Sequence, residues 1–267
     1  MNGPVIGVFD SGFGGLTVLR ALLPRISGAH YIYLGDTARL PYGAKSQATI
    51  ARYAVESARF LEDRGAEYLV IACNTATALA LNEITAAVSI PVIGVIEPVV
   101  RAAESEYPNG EVLVLATAAT VQSHAYLHQC ESQGLQATEK ACPLLVPLVE
   151  EGWIDHAVTR DVLRIYLGEA LAMGKPQAVL LGCTHYPLIA PEIASMLREL
   201  GSEAAVIDSA QATAAQAEKI VRGAAWEAGG PATFECFATD SVEKFQRLGS
   251  LFLGRTIDKV QHLDLGG

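Results

Sequence analysis

The 267 residues carry 19 Lys and Arg against 29 Asp and Glu, a net charge of −10, and 51% of them are hydrophobic. An acidic chain without a basic cluster argues against nucleic-acid and anionic-membrane binding, though not against a small anionic substrate held by a local site. The apolar content suffices for one large domain or two of about 100–150 residues. Five cysteines at wide spacing, with no CxxC, argue against a disulfide framework or a metal site. The opening MNGPVIGVFD has neither a basic n-region nor a long apolar h-region, and no apolar run approaches about 18 residues. A soluble, cytoplasmic protein is expected.

VIGVF reads as a short buried strand, followed by the glycine turn DSGFGG and the helical LTVLRALLPRI. That is the opening of a βα unit, but the glycine spacing fits neither dinucleotide nor P-loop fingerprints. HYIYLGD is the next strand, and ARLPYGAKS a loop carrying Pro41, Tyr42 and Gly43. SQATIARYAVESARFLEDRG is helical, with a Ser start and a Gly stop. LVIACNTAT is a strand that ends in Cys73, Asn74 and Thr75, with a helix after it. IPVIGVIEP reads as a fourth strand bounded by its proline.

From Arg101 the pattern restarts. EVLVLATAAT is a strand whose Thr117 and Thr120 stand where Asp10 and Ser11 stand in the first half. VQSHAYLHQCESQG is helical, LQATEKACP a strand, and PLVEEGWID a loop or short helix with Glu150 and Glu151. A long amphipathic helix precedes AVLLGCTHYP, the second apolar run ending in cysteine, here Cys183, Thr184 and His185. EAAVIDSAQATAAQAEKIV repeats strand, Asp-Ser turn and helix, and TFECFATD is a late strand. Alternating strands and helices imply an α/β fold with parallel sheets. The internal correspondence implies two similar lobes: residues 1–96 completed by 207–267, and residues 97–206.

Cys73 and Cys183 lie 110 positions apart in matched contexts. Each stands at a strand end, where the start of a following helix favours an anion and can lower a thiol pKa. Either alone is as readily a buried, inert cysteine; the matched pair favours chemistry. Two facing thiols suit two-base proton transfer, one removing a proton from a stereocentre and the other donating one to the opposite face. A redox pair is the competing reading and requires a Cys73–Cys183 bond. Asp10, Glu150 and His185 are candidates to tune or shuttle protons, against plainer readings as a helix cap, a solvated charge and a core histidine. Ser11, Tyr42, Gly43, Asn74, Thr75, Thr117, Thr120 and Thr184 are candidates to hold substrate, each of which could singly be a cap or turn residue.

Taken together, DSGFGGLTVL, YLGDTARLPYG, CNTATA, TAATVQSHAY, PLVEEG and GCTHYPL make the chain resemble the glutamate racemases of the aspartate/glutamate racemase superfamily. The resemblance implies two flavodoxin-like α/β lobes with the active site in the cleft between them. It implies cofactor-independent interconversion of L- and D-glutamate, which supplies D-glutamate for peptidoglycan, and no metal. By the same resemblance Cys73 acts on the D-enantiomer and Cys183 on the L-enantiomer, with Asp10, Glu150 and His185 as auxiliary acid–base groups. Glu150 and its neighbour Glu151 compete for one position. Asp10-Ser11, the Pro41-Tyr42-Gly43 turn, Asn74-Thr75, Thr117, Thr120 and Thr184-His185 are the implied substrate contacts. Ala116 stands where the family often has glycine. A homodimer is compatible with the resemblance, and aspartate racemase is the alternative activity.

Overall fold

The computed structural model describes residues 3–223 and 229–265. Its strands are β1 (Val5–Asp10), β2 (His30–Gly35), β3 (Tyr68–Ile71), β4 (Val92–Gly94), β5 (Glu111–Ala116), β6 (Gln136–Ala141), β7 (Ala178–Gly182), β8 (Ala205–Asp208), β9 (Thr233–Ala238) and β10 (Val260–His262). The helices are α1 (Leu16–Leu22), α2 (Gln47–Asp63), α3 (Asn74–Ala87), α4 (Ile96–Glu106), α5 (Ala118–Ser123), α6 (Ala125–Ser132), α7 (Leu145–Glu150), α8 (Ala157–Leu171), α9 (Ala190–Glu199), α10 (Ser209–Gly223) and α11 (Val242–Leu253). The chain forms two compact units, Met1–Val95 with Ala210–Gly267 and Ile96–Ser209. No helix among the described residues is long and apolar enough to cross a membrane.

The first unit holds a six-stranded sheet in the order β10-β9-β2-β1-β3-β4, the second a four-stranded sheet in the order β6-β5-β7-β8. Every strand pairing is parallel. Each unit contains the same path: a first strand, a second on one side of it, then a third and fourth on the other. β9 and β10, from the C-terminal segment, extend the first sheet beyond β2. A chain that leaves its first strand for one side and returns to the other opens a crevice at the carboxyl ends of the first and third strands. In the first unit those ends carry Asp10 and, just beyond β3, Cys73. In the second they carry Thr117 and Cys183, just beyond β5 and β7.

The sequence explains the layers. β7 reads AVLLG with all five residues buried, and β1 is buried throughout after Val5. Continuous apolar runs of this length suit central parallel strands covered on both faces. β6, at a sheet edge, reads QATEKA and is only partly covered. α2 begins where Ser46 accepts a hydrogen bond from the Thr49 N–H, and it buries Ile50, Ala54, Ala58 and Leu61.

Three local readings are corrected. The fourth strand is only Val92–Gly94, and Pro98 lies in the first turn of α4 rather than closing the strand. A first-turn proline forfeits no helical hydrogen bond, because its N–H would be unpaired there anyway. The helix over VQSHAYLHQCESQG is broken in two at His124, which adopts the left-handed conformation (φ 54°). ARLPYGAKS is not plain loop: it holds two 3₁₀ turns, Thr37–Arg39 and Tyr42–Ala44, with a cis peptide at Leu40–Pro41 between them.

One glycine sets how closely the first βα turn lies on the sheet. Gly35 pairs with Asp10 in register, and a Cβ there would sit 2.2 Å from the Gly12 carbonyl oxygen. Gly35→Ala must therefore displace backbone and is expected to destabilise the protein by about 1–3 kcal/mol. A denaturation midpoint equal to that of the parent would contradict this.

Candidate active site

In the first unit the strand-end residues converge on Cys73. Cys73 caps α3, its sulfur accepting a 3.4 Å hydrogen bond from the Ala76 N–H. Its thiol donates to the Ser11 hydroxyl at 3.4 Å. Asp10 is buried, and one of its carboxylate oxygens accepts the Gly12 N–H at 2.9 Å. Asp10 thus folds the turn after β1 and does not cap α1, whose cap position is Gly15. Asn74 and Thr75 are the first residues of α3, and both are buried. Tyr42 is buried in the same apolar cluster as Cys73, whereas Pro41 and Gly43 are exposed beside it.

The helix-start argument anticipates a lowered thiol pKa at Cys73, and the surroundings produce the opposite. Burial and the nearby Asp10 carboxylate push the thiol up to about 12, outweighing its hydrogen bonds with Ser11 and Ala76. Cys73 is therefore a neutral thiol at neutral pH.

The second unit builds a different constellation. Beyond Cys183 the chain does not enter a helix at once; it makes a 3₁₀ turn, Tyr186–Ile189, ahead of α9. The helix start anticipated at this cysteine is thus absent, and a side chain takes its place. His185 Nδ1 lies 3.9 Å from the Cys183 sulfur and 3.3 Å from the Thr184 hydroxyl. Its Nε2 lies 3.3 Å from Glu150 Oε1, which makes Glu150, not Glu151, the carboxylate beside it. Burial disfavours the imidazolium, but the hydrogen bonds to Cys183 and Glu150 outweigh it and raise the His185 pKa to about 10. Thr117 caps α5 by accepting the Thr120 N–H at 3.4 Å, and the two hydroxyls are 3.0 Å apart. Here the capping reading of the two threonines holds alongside any contact with substrate.

Among the other cysteines, Cys130, Cys142 and Cys236 are buried packing residues, and burial pushes each thiol up to about 12.

A group given no role in the sequence supports the Tyr42 turn. Asp36, fully buried at the end of β2, accepts the Tyr42 hydroxyl at 2.6 Å and the Thr239 hydroxyl at 2.9 Å. Arg39 approaches it at 3.7 Å and bridges to Glu56 at 2.8 Å. Burial pushes the Asp36 carboxyl above the usual range, while these hydrogen bonds pull it back. Its signal in the sequence is a lone acid closing an apolar strand; its partner Thr239 is 203 residues away, and nothing local announces it.

Comparisons with known proteins give the family. The family described as Asp/Glu/Hydantoin racemase matches residues 6–217. The glutamate racemase of Koribacter versatilis is 51% identical, over 99% of this chain and 98% of its own length. The crystal structure of glutamate racemase from Francisella tularensis in complex with D-glutamate superposes with a TM-score of 0.90 at 32% identity, covering 99% of both chains. That of the Thermus thermophilus glutamate racemase in complex with beta-chloro-D-alanine gives a TM-score of 0.88 at 39% identity, covering 99% of this chain and 98% of the other. Two parallel-sheet units and a sequence matched over nearly the whole length place the chain in the Asp/Glu/Hydantoin racemase family, and it is an isomerase.

Proposed function

We infer that this racemase interconverts L- and D-glutamate by proton transfer at Cα between two thiols, without a cofactor. The observation that carries the reading is the pair of thiols at equivalent strand ends of the two units, each with a different acid–base partner. Cys73 lies with Asp10 and Ser11, and Cys183 with His185 and Glu150. The names of the relatives, and the D-glutamate bound by one of them, support glutamate as the substrate. In the L-to-D direction the Cys183 thiolate takes the Cα proton. The Cys73 thiol, neutral as burial and Asp10 leave it, donates its own to the opposite face. The return reaction exchanges the roles. Asn74, Thr75, Thr117, Thr120, Thr184, Ser11 and the Pro41-Tyr42-Gly43 turn hold the substrate's carboxylates and amine. A cytoplasmic source of D-glutamate for peptidoglycan is the role this activity would serve.

Incubation with L-glutamate in D₂O tests the substrate. Formation of D-glutamate carrying deuterium at Cα is the expected result. Exchange with aspartate and none with glutamate would transfer the activity to aspartate.

A further inference from the structure

The Asp10–Ser11–Gly12 turn brings a carboxylate and a hydroxyl to Cys73, so whatever holds that turn acts on the thiol. Above, Gly35 leaves room for it, and Asp10 ties it internally through the Gly12 N–H. Behind Asp10, a Cβ on Gly15 would lie 2.6 Å from the Asp10 Cβ and 2.8 Å from the Ala72 Cβ, so the chain ahead of α1 packs closely on Asp10 and on the residue before Cys73. The carbonyl of Gly12 gives the turn an outside anchor. It accepts a 3.1 Å hydrogen bond from the hydroxyl of Tyr33, a fully buried residue of β2. The Tyr33 ring packs on Phe245 of α11, with centroids 5.8 Å apart, so the C-terminal segment of this unit braces it from behind. A phenylalanine would fill the same space. A hydroxyl kept in a fully buried position costs free energy unless it is bonded; here it donates to the turn, and the Leu16 backbone at the start of α1 also bonds to it.

We propose that Tyr33 is a positioning residue: its hydroxyl, through the Gly12 carbonyl, fixes the turn that sets Asp10 and Ser11 against Cys73. Tyr33 touches no substrate and acts only on this thiol. The consequence for racemisation rests on the two-thiol reading above; the consequence for the reactivity of Cys73 does not.

Tyr33→Phe keeps the ring and removes only the hydroxyl. The measurement is the rate of alkylation of Cys73 and of Cys183 by iodoacetamide against pH, resolved by peptide mapping of the intact, folded protein. Release of Asp10 from beside the thiol is expected to move the Cys73 profile to lower pH by about half a unit or more and to leave that of Cys183 in place. With glutamate as substrate, kcat should fall about tenfold with KM within about twofold, as for a misplaced acid–base group. Phe245→Leu, which loosens the ring and keeps the hydroxyl, should lower the melting temperature without moving the Cys73 profile. The proposal is overturned if the Cys73 profile of Tyr33→Phe is unmoved, if both thiols shift together, or if Phe245→Leu reproduces the shift. Loss of folding in Tyr33→Phe alone would make the hydroxyl a stability element and overturn it equally. A parent protein inactive on glutamate, with the Cys73-specific shift intact, would remove the substrate reading and leave the positioning role standing.

Discussion

Cys73→Ala and Cys183→Ala are each expected to lower glutamate racemisation by about 10³-fold or more, the upper part of the range for removing a group that transfers a proton in the transition state. The two enantiomers have equal free energies, so kcat/KM must fall by the same factor in both directions whichever thiol is removed. The distinction between the thiols lies in exchange. On the two-thiol reading, a variant lacking Cys183 retains the group that acts on the D-enantiomer and should incorporate solvent deuterium into D-glutamate while forming little L-glutamate. A variant lacking Cys73 should do the converse. Serine in place of either cysteine should be nearly as damaging, since its hydroxyl is a far weaker acid than a thiol. Both cysteines are buried at the ends of central strands, and Cys73 fills an apolar cluster, so each variant needs a melting curve beside its rate. Near-parental racemisation by both folded alanine variants would leave the two-thiol mechanism without support. A Cys73–Cys183 redox pair predicts instead a disulfide after oxidation and no exchange at Cα.

The difference between the two thiols was only partly legible in the sequence. The parallel α/β architecture could be read because central strands such as VIGVF and AVLLG are continuous apolar runs, and because each strand-turn-helix recurs at a nearly constant offset. Turn chemistry was less visible. Nothing in CTHYPL distinguishes a helix start from the 3₁₀ turn that follows Cys183, and Pro98 reads as a terminator although the first turn of α4 accommodates it. Burial was hidden altogether. A helix start at Cys73 argues for a lowered thiol pKa, yet the desolvation that raises it comes from residues of several strands and helices packed around it. Long-range partners were hidden for the same reason. Asp36 meets Thr239 across 203 positions, and Tyr33 meets Phe245 only once the C-terminal segment has joined the first sheet. Glu150 was separated from Glu151 by direction alone: one turns toward His185, while its neighbour is exposed.

His185→Asn should reduce kcat by about 10²-fold, and the pH dependence should identify why. His185 sits between Cys183 and Glu150, and these partners hold its pKa near 10 against the desolvation that favours the neutral ring. On the two-thiol reading, the imidazolium, present throughout the neutral range, stabilises the Cys183 sulfur in the anionic form it needs before it takes a proton from L-glutamate. A histidine whose folded pKa is raised keeps its charge at neutral pH and loses it as the pH climbs through about 10, so activity that needs the cation should fall on the alkaline side. By the same linkage, the stability this charge contributes is complete below about pH 6.5 and is lost as pH rises toward 10. Glu150→Gln removes one of the two supports and should move both the alkaline limb of the rate profile and the titration of the His185 ring to lower pH together. Ring titration followed by NMR in the parent and in Glu150→Gln provides the check. A rate profile that shifts while the His185 titration stays in place would assign the alkaline limb to another group, and Glu150 would then act on the substrate rather than through the histidine.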